Sequence, residues 1–147
     1  MQIRNANELD IEVISEMLVE YINDLGELAL YGQASPEYRK HFIEELIRKN
    51  ICIIAEQENQ IVGLITGLVH PHIYNPEVTA VTELFWYVLP SHRQSLAAAK
   101  LFSAFKLEAS RRGKLIYFNL AIQSQVKHES ITKRGFSQCE THFVMQV

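Results

Sequence analysis

The chain is 147 residues long, 48% hydrophobic and 21% charged, with a formal net charge of −3 and a pI near 6.1. Residues 1–147 therefore suit one ordinary domain with enough apolar content for a packed core, which excludes a disordered chain. No run of about 18 apolar residues exists to span a bilayer, and the acidic balance argues against a nucleic-acid binder.

The charge is unevenly placed. Residues 1–60 carry 5 Lys/Arg against 12 Asp/Glu, whereas residues 61–147 carry 9 against 5. Such a division suits a cationic partner on one side and an anionic one on the other, or is simply the solvated faces of helices. Residues 1–5 lack the apolar stretch of a secretion signal. Cys52 and Cys139, the two cysteines, then read as reduced thiols, and a cytoplasmic protein is expected.

In chain order, residues 2–5 form a short first strand. Asn7 or Asp10 caps a helix running to about Leu25, with Ile14, Met17 or Leu18, Tyr21 and Leu25 on its apolar face. Gly26 and Gly32 bracket a loop in which Tyr31 is a candidate for exposure. Ser35-Pro36 is a helix start, and Tyr38, Phe42, Ile43, Leu46 and Ile47 follow at core spacing. Residues 50–56 read as a β-branched strand, 57–60 as a polar turn, and 61–69 as its hairpin partner, where Gly63 and Gly67 mark bulges or close approach. Pro71, Asn75 and Pro76 predict a loop, and 78–89 a long strand ended by Pro90.

After Pro90 the period changes, and Ala98, Leu101 or Phe102, Phe105 and Ala109 share one side of a helix over 91–112, with Gly113 as its C-cap. A strand leading into a helix N-terminus presents unpaired N–H groups beside a positive dipole end, a ready anion site. Residues 114–122 form a further strand, 124–134 a short helix stopped by Gly135, and 137–147 an edge strand that could pair two copies. The order is β-α-α-β-β-β-α-β-α-β, an α/β mixed, mostly antiparallel sheet flanked by helices.

This order, with Arg93-Gln94-Ser95-Leu96-Ala97-Ala98 after the long strand and Lys133-Arg134-Gly135-Phe136 near the end, resembles the GNAT N-acetyltransferase superfamily over essentially the whole chain. The family carries an R/Q-x-x-G-x-G/A loop at the first of these positions and a G-F after a short helix at the second. Asn75-Pro76, the run from Glu83 to Val88, and Glu140-Thr141-His142-Phe143-Val144 are also similar to small phage and prophage members.

The resemblance implies an acetyl-CoA-dependent enzyme that transfers an acetyl group directly to an amine, small molecule or protein, without a metal. Backbone at Tyr87, Val88 and Leu89 would pair with the pantetheine arm where the long strand splays from its neighbour. The N–H groups of Arg93, Gln94, Ser95, Leu96, Ala97 and Ala98 would hold the pyrophosphate. Asn119 falls at a position near the cofactor, and Glu83 where members place a general base. Two departures stand out: Gln94 and Leu96 replace the loop's glycines, and Ile131 replaces the tyrosine that serves as general acid. Ser130, or a tyrosine such as Tyr31 or Tyr74, is the candidate substitute. These departures also keep open a protein that retains the fold and binds acyl-CoA or a protein without turnover, including a phage-derived factor acting on a host protein.

Each candidate has a plainer reading. Glu83, opening an apolar strand, is either a carboxylate with a raised pKa suited to proton abstraction or a residue turned to solvent. Arg93 is a phosphate contact or an exposed arginine, and Lys100 a weaker candidate of the same kind. His70 and His72 flank Pro71 but lack a third ligand at useful spacing, so no metal site is expected; His72 is instead a candidate for the acceptor pocket. Trp86 is the aromatic most suited to line an acyl or acceptor pocket, the others being core.

Overall fold

The computed structural model describes residues 1–26, 32–121, 124 and 126–147. Among these residues five strands form one sheet in the order β1-β2-β3-β4-β5. β1 (Gln2–Asn5), β2 (Ile51–Gln57), β3 (Gln60–His72) and β4 (Asn75–Val88) pair antiparallel, and β5 (Leu115–Tyr117) joins β4 in parallel. This is the expected mixed, mostly antiparallel sheet. The turn between β2 and β3 places Glu58 and Asn59 at positive φ, which matches the right-handed twist of the flanking strands.

Helices α1 (Ile11–Leu25) and α2 (Pro36–Lys49) bury one face of the sheet. Ile14, Met17, Ile43 and Leu46 pack there against Ile54, Leu64, Phe85 and Tyr87. Helix α3 (Ala97–Arg112) covers the other face, where Leu101, Phe105 and Ala109 meet Ile53, Ile65, Val81 and Val88. Asn7 begins a single 3-10 turn before α1, its side chain accepting from the Leu9 N–H at 2.9 Å while Asp10 accepts from the Asn7 N–H at 2.8 Å. Arg4 on β1 binds the same Asp10 carboxylate at 2.8 Å and Glu56 on β2 at 2.8 Å, tying the first turn to the sheet.

Val81 and Val88 lie in the same core cluster although seven residues apart. Strict alternation would place them on opposite faces. The register explains it: Gly67 pairs with Glu83 and Thr66 with Phe85, leaving Leu84 as an inserted residue in β4. Such a bulge re-aims every side chain beyond it. Gly67 sits at this irregularity because a Cβ there would stand 2.6 Å from the Phe105 ring.

Four expectations are revised. Pro71, Asn75 and Pro76 do not make a loop: β3 and β4 continue through them and only Ile73 and Tyr74 lie between the strands. A register shift at Pro71/His72 accommodates the missing N–H. Helix α3 begins at Ala97 rather than 91, because a 3-10 turn, Pro90–His92, comes first. β5 ends at Tyr117, not 122. Residues 137–147 carry no strand or helix, and Phe143, Val144, Met145 and Val147 are exposed. The last packed residue before them is Phe136, against Phe102 and Phe118. Helix α4 (His128–Thr132) is present, with Ile131 buried.

Candidate active site

β4 and β5 are paired only from Ala80 to Thr82 on the β4 side. Beyond Thr82 they part, and Asn119 holds the fork: its Nδ2 donates to the Glu83 carbonyl at 2.6 Å, and its N–H donates to the Glu83 carboxylate at 3.2 Å. Past the fork a cleft of about 600 Å³ opens, walled by β4, the end of α1, the start of α3 and the chain after β5.

Glu83 lies in this cleft at 3% exposure. Burial pushes its pKa up to about 8, partly opposed by the Asn119 N–H. A carboxyl in that range can take a proton near neutral pH. The bulge immediately follows it, so the backbone of β4 beyond Glu83 is rotated against the ladder.

That rotation decides which backbone groups remain free. The Leu89 N–H donates to the Val62 carbonyl at 3.0 Å. Antiparallel ladders alternate, so Tyr87 also faces β3, whereas Trp86 and Val88 turn their N–H and C=O groups to the open edge. Of the three expected pantetheine contacts, Val88 turns to this edge, with its carbonyl accepting from Arg93 Nε and its N–H without a partner among the described residues; Tyr87 contributes its ring and hydroxyl, which donates to Glu20 at 3.0 Å.

The loop after β4 is similarly selective. Arg93, Ser95 and Ala97 have their N–H groups engaged, by the Pro90 carbonyl at 3.4 Å, the His92 carbonyl at 2.9 Å and Ser95 Oγ at 3.1 Å. The N–H groups of Gln94, Leu96, Ala98 and Ala99 have no partner among the described residues. No residue of this loop has positive φ, and both Gln94 and Leu96 are exposed. The backbone thus has no conformational need of glycine here.

Arg93 is already occupied. Its guanidinium pairs with Asp24, its Nε donates to the Val88 carbonyl at 3.1 Å, and it lies 5.5 Å from the Tyr87 ring centroid.

Seven sequence candidates thus line one cleft: Glu83, Trp86, Tyr87, Val88, Arg93, Ala98 and Asn119. Ser130 lines instead a smaller adjoining cavity of about 370 Å³, together with Trp86, Ala98 and Ile131. His72 and Tyr74 sit at the far tip of the β3–β4 hairpin. There His72 bonds the Tyr117 hydroxyl at 2.9 Å and Tyr74 is 88% exposed. Tyr31 lies outside the described residues. Among the described residues no group of three or more His, Cys, Asp or Glu converges as a metal site, and no helix is long and apolar enough to cross a membrane.

Tyr21, Asp24, Leu120, Ala121, Ser124 and Val126 also line the cleft and were not foreseen. For Asp24 a signal existed: Glu16, Glu20 and Asp24 recur every four residues, one stripe of α1. The residues after β5 carry no pattern that announces a wall.

No family profile matches the sequence, and no curated protein matches it. Solved structures do. A probable acetyltransferase superposes with a TM-score of 0.76 at 16% identity, covering 100% of this chain and 98% of that one. A protein named as a transcriptional regulator from Bacillus halodurans C-125 gives 0.76 at 19%, covering 99% of each. A predicted acetyltransferase from Clostridium acetobutylicum, solved with acetyl-CoA, gives 0.75 at 16%, covering 99% and 95%. Nothing in these likenesses supports the narrower resemblance to phage and prophage members. What they establish is architecture: the chain has the GNAT-like fold.

Proposed function

We propose that this protein is an acetyl-CoA-dependent N-acetyltransferase that moves an acetyl group directly to an amine. The observation that carries the reading is Glu83, a buried carboxyl with a raised pKa, fixed by Asn119 where β4 and β5 part. Acetyl-CoA would supply the activated thioester carbonyl. The cleft fits such a donor: the open β4 edge, with the Trp86 backbone and the Val88 N–H unpaired by β3, suits an amide-bearing arm, and the free N–H groups of Gln94, Leu96 and Ala98 suit a pyrophosphate. Arg93 adds positive charge once it exchanges Asp24 for phosphate.

Glu83 takes the proton of the acceptor ammonium, directly or through water, so that the amine becomes a nucleophile. An N–H on the open edge of β4 stabilises the charge that develops on the carbonyl oxygen. Ile131 is apolar and buried and offers no proton; the thiolate of the leaving group would take its proton from water or from the acceptor. Asp24 and Glu20 at the end of α1 give the acceptor side its negative charge.

A thiol-release assay with acetyl-CoA and a panel of amines tests the reading. Amine-dependent thiol release by the wild type, lost in Glu83→Gln, is the expected result. Ile131 favours a second reading, a donor-binding protein without turnover; donor binding with no thiol release for any amine or protein extract would select it.

A further inference from the structure

Arg93 joins three parts of the cleft. Its backbone follows the 3-10 turn Pro90–His92, where the Arg93 N–H donates to the Pro90 carbonyl at 3.4 Å. From there its guanidinium pairs with Asp24 at the end of α1, and its Nε donates to the Val88 carbonyl of β4 at 3.1 Å. The same group lies 5.5 Å from the Tyr87 ring centroid. Tyr87 is itself held from α1, where Glu20, one turn before Asp24, accepts from its hydroxyl at 3.0 Å. Asp24, Tyr87, Val88 and Arg93 all line the cleft. The arginine side chain is therefore a strut between α1 and β4.

We propose that Asp24 is a positioning residue that keeps the Arg93 guanidinium against the open edge of β4, so that an acyl-CoA donor must displace it from Val88 to bind. This rests on the donor-binding reading above and adds a regulation to it. An extended arm added to a strand edge needs the edge carbonyls to accept its N–H groups, and at Val88 the Arg93 Nε–H already holds that place. Asp24 secures it there through a charge-assisted contact. The two side chains are 36% and 45% exposed, so the pair is a weak latch and the guanidinium has solvent to swing into. The latch has a definite sign: the Asp24 carboxylate lowers donor affinity, and it does so through Arg93.

Asp24→Asn keeps the size of the side chain and removes its charge. In calorimetric titrations it should bind acetyl-CoA about two- to fivefold more tightly than the wild type. Loss of any acidic charge from the cleft also relieves repulsion of a polyanion, and two controls separate the causes. Glu20→Gln removes a charge one turn away, where the carboxylate bonds Tyr87 instead of Arg93, and should not tighten binding. In an Arg93→Gln background, Asp24→Asn should leave the affinity unchanged. Equal tightening by Asp24→Asn and Glu20→Gln, or by Asp24→Asn in both backgrounds, identifies general repulsion and overturns the proposal. So does an Asp24→Asn protein that binds acetyl-CoA no more tightly than the wild type. Absence of any wild-type binding is a different failure, removing the donor-binding reading and the proposal with it.

Discussion

Glu83, the proposed base, carries a stability penalty. An unfolded glutamate loses its proton near 4.5, whereas the buried one holds it to about 8. Between those values the unfolded state binds fewer protons, so this group's contribution to stability falls as pH rises from about 4.5 to about 8. Glu83→Gln lacks that penalty, and its Tm relative to wild type is expected to be higher at pH 8 than at pH 5, measured by thermal melts. Under the proposed mechanism the same titration shapes catalysis: kcat/KM should rise with pH to a plateau above about 8, because the ionised form would be the base. In Glu83→Gln that limb should vanish and kcat fall by about 10²–10⁴. Asn119→Ala removes the side-chain bond to the Glu83 carbonyl while keeping the backbone N–H to its carboxylate. It should lower stability by about 1 kcal/mol in urea titrations.

At the scale of elements, the bulge in β4 depends on the close approach of β3 to α3. Gly67→Ala would set a Cβ 2.6 Å from the fully buried Phe105 ring, and a loss of about 1–3 kcal/mol is expected in urea unfolding. The Arg4–Asp10 contact is a second joint. The Arg4 guanidinium holds the Asp10 pKa below its usual value, so its stabilisation is present above the unfolded pKa and is lost as pH falls through the folded one. Asp10→Asn should therefore be closest to wild type in stability in acid and furthest at pH 7. Most elements were legible because their cause is local: β-branched residues at 51–57, the Ser35-Pro36 start of α2, the apolar spacing from Leu101 to Ala109. The late start of α3 was not, since Pro90 permits a 3-10 turn as readily as a helix. Gly67 marked the irregularity on the β3 side, but the inserted Leu84 in β4 was hidden, because a strand apolar on both faces hides its own phase. The lining of the cleft was legible where the chain is continuous, at Glu83, Trp86, Tyr87 and Val88. It was hidden where distant residues meet: Asp24 reaches Arg93 only through the packing of α1 on the sheet, and only the ladder shows that the Leu89 N–H is already bonded.

Across the whole molecule, the acidic first part and the basic second part of the sequence meet in the cleft, where Asp24 at the end of α1 pairs with Arg93 of the loop before α3, beside that loop's free amides. Under the proposed function a phosphate that draws Arg93 away would free the Asp24 carboxylate, so a polyphosphate donor would be attracted by the first and an ammonium acceptor by the second. Both attractions are screened, so KM for a cationic amine should rise with added salt. Calorimetric titration of acetyl-CoA into the wild type and Arg93→Glu is the decisive test of whether this cleft holds an acyl-CoA donor, as proposed. Saturable one-to-one binding by the wild type, with most of the affinity lost in a variant that still melts cooperatively, is the predicted result. No heat of binding for the wild type, or equal affinity for both proteins, would contradict it.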